Sequence, residues 1–195
     1  MIKNIIQILL ILIFLNQCSL LKPLKTQDIK YYQPKFTNLI SKCNNSHKDV
    51  ILISNAEVYS PYNSRFMYYS TTAGNINYYK LNQWSSDTGI LLTQLIIQKL
   101  EQSCLYSGVV SSNSLVLSNY KMIIQVMTFQ QYIDNGKSKM ELVVFIQIID
   151  NYTNKIIKSK KFINEVNISP DINGYLQGAN MTLANFLNDL YLWLK

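Results

Sequence analysis

Residues 65–100 restrict the fold more than any other stretch, because strands, a turn and a helix follow one another there without interruption. Arg65-Phe66-Met67-Tyr68-Tyr69 and Ile76-Asn77-Tyr78-Tyr79-Lys80-Leu81 are β-rich runs separated by a loop that contains Gly74-Asn75. Aromatic residues on either side of a short Gly/Asn loop predict a hairpin. Trp84 follows, then Ser85-Ser86-Asp87, then an apolar run in which Leu91/Leu95, Leu92/Ile96 and Ile96/Leu100 recur four residues apart. That spacing marks one helix face, and a Ser or Asp before it suits an N-cap. The expected core is a helix laid on a sheet.

The flanking sequence extends both layers. Upstream, Tyr31-Tyr32 ahead of Pro34 reads as a short edge strand, residues 37–48 as a polar loop, and Val50-Ile51-Leu52-Ile53 as a strand covered on both faces. Downstream, residues 105–110 can form a short strand, and 120–133, 140–149 and 155–166 are three strong strand candidates. Asp134-Asn135-Gly136-Lys137 and residues 150–154 join them as an antiparallel meander. Ser169-Pro170-Asp171 then offers the cap and first turn of a last helix, with Leu176, Leu183, Leu187, Leu190 and Leu194 on one face. Two helices and these strands predict an α+β, two-layer sandwich, a largely antiparallel sheet with both helices on one face. A length of 195 residues suits one such domain.

Residues 1–17 have the form of a signal peptide, with Lys3 ahead of an apolar run from 5 to 15 broken only by Gln7. Eleven helical residues cover roughly 16 Å, about half a bilayer core, so the run is too short to span one. It ends at Leu15-Asn16-Gln17-Cys18-Ser19, which resembles a lipobox and implies that Cys18 is acylated, with Gln17 where lipoboxes prefer Gly, Ala or Ser. A secreted chain cut elsewhere is the alternative. Residues 18–30, with Pro23 and several lysines, read as a tether, leaving 31–195 as the domain. Ser19 after the cysteine implies the outer membrane, with the domain facing the periplasm.

A net charge of +7 comes from scattered lysines, which reads as a solvated basic surface, with membrane proximity the next reading, and argues against nucleic acid. With Cys18 acylated, Cys43 and Cys104 remain, either as a disulfide or as two separate thiols. A bond across about sixty residues contributes roughly 4 kcal/mol in the chain-entropy model. Neither cysteine has metal-site spacing, and no cofactor is expected. Nucleophile-elbow, zinc-protease, phosphate-loop and Cys-x-x-Cys motifs are all missing from the sequence, so the expectation is not an enzyme. The remaining catalytic candidates are His47, in the polar loop, and Asp87, which helix capping explains better. The aromatic residues from Tyr59 to Trp84 either pair across strands or form a partner surface.

Taken in order, these elements resemble the ABC-type transport auxiliary lipoprotein component family, the lipoprotein partners of bacterial MCE-type lipid transport systems. The resemblance rests on the cysteine and basic tether, the Tyr-Tyr strand, Val-Ile-Leu-Ile leading to Pro61-Tyr62, Arg65-x-x-x-Tyr69, Tyr79-x-x-x-x-Trp84, and a helix ending in Leu100-Glu101-Gln102. The meander and the amphipathic last helix complete it. It implies a non-enzymatic periplasmic subunit, anchored to the outer membrane through membrane lipid on Cys18, that works with an MCE-domain protein and ABC transporter subunits. Arg65, Tyr68, Tyr79 and Trp84 are the residues it points to for partner contact. An outer-membrane lipoprotein adaptor of another envelope assembly or secretion system, and an enzyme acting on envelope polymers through Asp87 or His47, are the alternatives.

Overall fold

A computed structural model describes residues 27–35, 49–72 and 75–195. Among these residues, nine strands and two helices follow in the order β1 (Lys30–Tyr32), β2 (Val50–Ile53), β3 (Glu57–Val58), β4 (Phe66–Thr72), β5 (Asn75–Trp84), α1 (Thr88–Ser103), β6 (Gly108–Ser111), β7 (Tyr120–Asp134), β8 (Lys137–Asp150), β9 (Lys155–Asn167) and α2 (Ile172–Leu194). The long ladders β7–β8, β8–β9 and β4–β5 are antiparallel. Residues 135 and 136 close the β7–β8 hairpin with φ of 46° and 77°, as an Asn-Gly turn of type I′ requires.

The sheet is nevertheless mixed, which the sequence reading did not foresee. One edge of β7 runs along β8, and the other carries three short parallel partners in succession: β2, then β3, then β4. Beyond these, β6 lies parallel to β2, and β1 parallel to the end of β5. The strand expected at Val50-Ile51-Leu52-Ile53 is β2, and the short β3 follows it, both using β7 as template.

Both helices pack side by side on one face, α1 against β3 and β6 and α2 against β8 and β9. Directly opposed residues of an antiparallel pair share a face. Met122, Ile124 and Val126 of β7 and Ile148, Ile146 and Val144 of β8 therefore form one buried layer beneath the helices. At Met127 the β7 strand holds one residue more than its partner, a bulge that turns the inward series from even to odd numbers. Phe129 and Gln131 point inward as a result.

In α1, Asp87 stands at the N-cap position but its side chain makes no capping bond. The helix ends at Cys104, whose φ of 57° is the left-handed geometry common after a last turn. In α2, the Asp171 carboxylate accepts from the Gly174 N–H at 2.7 Å, so of Ser169-Pro170-Asp171 it is Asp171 that caps the helix. Its buried face is Tyr175, Ala179, Thr182, Leu183, Phe186, Leu187 and Leu190, broader than the leucine stripe suggested; Leu176 and Leu194 sit at its margins.

Candidate partner-binding surface

The β4–β5 hairpin carries aromatic residues on both faces, since successive side chains of a strand point to opposite sides. On the helix side, Tyr69 and Tyr79 have ring centroids 4.9 Å apart, and Tyr79 meets Tyr175 of α2 at 5.7 Å. The Tyr79 hydroxyl donates to Gln131 Oε1 at 2.7 Å, while Gln131 Nε2 donates to Ser138 Oγ at 2.8 Å and to the Ser169 carbonyl at 2.9 Å. Gln131 is fully buried, and these three bonds tie the hairpin to β8 and to the segment that enters α2. Burial, with Tyr69 and Asp171 nearby, pushes the Tyr79 hydroxyl up to about 12.

On the other face, Tyr68 meets Tyr62 at 5.7 Å, Phe66 at 6.3 Å and Tyr78 at 6.4 Å, and Phe66 lies 4.5 Å from Tyr78. Tyr62 belongs to the turn after β3 and folds over this face, where Tyr68 Oη and Ser64 Oγ are hydrogen-bonded at 3.0 Å. Edge-on contacts of this kind contribute about 0.5–1.5 kcal/mol each beyond the area they bury.

Trp84 ends β5 in the core, 1% exposed, stacked on Phe129 at 5.9 Å with 11° between the rings and 6.0 Å from Tyr175. The bulge at Met127 is what brings Phe129 to it. Burial raises the Tyr175 hydroxyl far above its ordinary value, and the nearby Trp84 indole and Tyr68 backbone pull it only slightly back. Three residues beyond Trp84, Asp87 Oδ1 lies 3.6 Å from Arg65 Nε. Both side chains are about half exposed, so the pair itself stabilises by less than about 1 kcal/mol. The Thr88 N–H and hydroxyl both reach the Ser64 carbonyl, at 3.2 Å and 3.0 Å, so the start of α1 is fastened to the strand entry that Arg65 opens.

The four residues that the resemblance marks for partner contact thus do not form one surface. Arg65 is exposed and beside Asp87, Tyr68 is buried on the outer face, Tyr79 is half-buried on the helix face, and Trp84 is in the core. Trp84 packs against Phe129 and Tyr175 in the core, where it positions the hairpin. Sequence reasoning held Tyr78 only as one of the aromatic set and passed over Ile76 and Tyr31 as contact residues. Ile76 and Tyr78 are 41% and 42% exposed on the outer face, and Tyr31, 58% exposed, joins them through the pairing of β1 with Gln83. Period-two alternation along β5 could have separated Ile76 and Tyr78 from Tyr79. Among the described residues β1 pairs only with Asn82–Trp84, leaving the rest of that β5 edge open.

Cys18, Cys43 and His47 lie outside the described residues, as do the leader and most of the tether; Lys30, assigned to the tether, opens β1. Cys104 is disulfide-bonded. Among the described residues no group of His, Cys, Asp or Glu could hold a metal ion, and no helix is long and apolar enough to cross a membrane. A cleft of about 310 Å³ beside α1 has Asp87, Asn55, Thr93 and Gln94 on its polar side and Ile90 and Ile97 on its apolar side.

No protein-family model matches the sequence, and no curated protein matches it. In three dimensions the chain is similar to the crystal structure of a Xanthomonas campestris protein of the DUF330 family, with a TM-score of 0.74 and 15% identity over 84% of this chain and 94% of that one. It is also similar to the crystal structure of an uncharacterized protein, with a TM-score of 0.65 and 13% identity over 86% of this chain and 99% of the other. At such identities the likeness is one of fold, and it extends over nearly the whole of both proteins.

Proposed function

We propose that this chain is a non-enzymatic, lipid-anchored subunit of an MCE/ABC-type lipid transport system. It is held to the outer membrane through acylated Cys18, with its domain in the periplasm. The observation that carries the reading is the serial order of Arg65, Tyr68, Tyr79 and Trp84 ahead of a helix, as in the auxiliary lipoproteins, within a leader-tether-domain arrangement. The packing supports it. The marked residues build one device: Trp84 pins the hairpin to Phe129 and Tyr175, Tyr79 locks it through Gln131, and Arg65 meets Asp87 at the start of α1. Such a device holds a rigid aromatic edge outward, and Tyr78, Ile76 and Tyr31 supply the contact with the MCE-domain protein. The whole-chain likeness to a DUF330-family protein supports a one-domain sandwich of this kind.

The test is affinity purification of the full chain from its native membrane, comparing wild type, Cys18→Ala and the double variant Ile76→Ser/Tyr78→Ser. Recovery of an MCE-domain protein with wild type, weakened without the anchor and lost with the hairpin variant, is the expected outcome. If Cys18→Ala stays in the membrane unchanged and wild type recovers no MCE protein, anchor and partner assignments fail together. Recovery of a different envelope assembly makes the chain an adaptor of that assembly.

A further inference from the structure

The loop between β6 and β7 contains Leu115-Val116-Leu117, set among serines and asparagines. Leu115 and Leu117 are 101% and 94% exposed, and Val116 is 55% exposed. Three consecutive aliphatic side chains standing in water carry a solvation cost that a plain connection avoids. The loop is nonetheless well fastened. Asn119 accepts from the Val50 N–H at 2.7 Å through its side chain and donates its own N–H to the Val50 carbonyl at 2.9 Å.

The β8–β9 turn is bonded to the same loop. The Asn151 side chain donates to the Ser118 carbonyl at 3.0 Å and to Ser118 Oγ at 2.9 Å, and its N–H donates to the Asn119 carbonyl at 2.9 Å. Two turns therefore make one tip, and Tyr152, 80% exposed, stands on the second. Beyond it, Ile156 and Ile157 follow Lys155 at the start of β9, both exposed.

Charge at this end is one-sided. In the segments that build it, 49–50, 111–121 and 149–161, the bases are Lys121, Lys155, Lys158, Lys160 and Lys161, and the acids are Asp49 and Asp150. Asp150 turns its carboxylate onto the N–H groups of Tyr152 and Thr153, at 2.9 Å and 2.8 Å. Lys155 is opposite Asp150 in the β8–β9 ladder and Lys121 opposite Ile149 in the β7–β8 ladder, so both flank the apolar tip.

We propose that this tip docks into the interfacial layer of an anionic bilayer, with Leu115, Val116 and Leu117 among the acyl chains, Tyr152 at headgroup level, and Lys121 and Lys155 against lipid phosphates. A protruding aliphatic loop with an adjacent tyrosine and a lysine collar is the amphipathic order of a membrane interface, apolar first, aromatic next, cationic last. The lysines of β9 prolong the attraction away from the surface over about one Debye length. The inference does not depend on Cys18 being acylated or on an MCE partner.

The test holds the full chain in neutral nanodiscs by its own N-terminal segment, acylated or not. It measures capture of fluorescent phosphatidylcholine vesicles with and without phosphatidylglycerol. Wild type should capture the anionic vesicles. Leu115→Ser/Leu117→Ser should lower capture at least about tenfold. Lys121→Gln/Lys155→Gln should lower it for anionic vesicles only and flatten its salt dependence. All four positions are exposed, so thermal unfolding should be unchanged, and that measurement accompanies each variant. Failure of wild type to capture vesicles, or equal capture by the leucine variant, overturns the proposal. Vesicle capture unchanged in the leucine variant, with a protein partner lost instead, also overturns it and makes the tip a protein contact.

Discussion

Tyr79 and Trp84 are five residues apart on one strand and stabilise the hairpin by different physics. Tyr79 acts through a single polar group. With its hydroxyl gone, Gln131 Oε1 remains buried without the donor it has now at 2.7 Å. Tyr79→Phe should therefore cost about 1–3 kcal/mol, the penalty for stranding a buried acceptor, read as a lower denaturant midpoint at unchanged slope. Trp84 acts through volume. Its indole fills the space between Phe129 and Tyr175, and Trp84→Ala should cost about 3–5 kcal/mol in the same assay. If Trp84→Ala unfolded no more easily than Tyr79→Phe, the indole would not be the core pin that its 1% exposure describes.

Between elements, the closest approach that the packing imposes is that of α2 to β8. A Cβ on Gly178 would lie 2.7 Å from Met140 Cβ and 2.8 Å from Ile168 Cγ2, so the helix sits as low on the sheet as a glycine allows. Gly178→Ala should push it outward and cost about 1–3 kcal/mol despite alanine's better helix propensity, visible as a fall in melting temperature. This seat was not legible in the sequence, where leucine spacing drew attention to Leu176 and Leu194 and away from Gly178, Tyr175 and Phe186. Periodicity ranks residues by hydrophobicity, whereas a helix set close to a sheet needs small residues where it touches and large ones where it diverges. The elements themselves were legible, because alternation, Asn135-Gly136 and Asp171 are local signals. The parallel joins of β2, β3 and β4 to β7, and the bulge at Met127, were not, because they depend on partners far away in the chain. The candidate surface divided for the same reason: Tyr68 and Tyr79 both looked like contact residues until the pairing showed which face each one takes.

Across the whole molecule, the β7 strand sets the distances. The hairpin end pairs at Gln130–Tyr132 and the apolar tip adjoins Tyr120, roughly 33–40 Å away at about 3.3 Å per residue. Both ends contain tyrosines held neutral by burial: Tyr79 at the hairpin and Tyr106, beside Tyr120 and Asp49, near the tip, each raised to about 12 from an ordinary 10.0. A phenol whose folded value is raised loses its proton more readily in the unfolded chain. The native state then binds more protons than the unfolded state between pH 10.0 and about 12, and stability must fall as pH rises through that window. Tyr175, raised further still, extends the same slope upward. Because the groups lie at opposite ends and in the core between, alkali should unfold the domain as one cooperative unit. Urea midpoints should decline together whether followed by tryptophan fluorescence or by backbone dichroism, and Tyr106→Phe should flatten the decline without altering stability near neutral pH beyond its own small packing change. Separate declines by the two probes would mean that the hairpin end and the tip end unfold independently, and that β7 does not couple the two surfaces it carries.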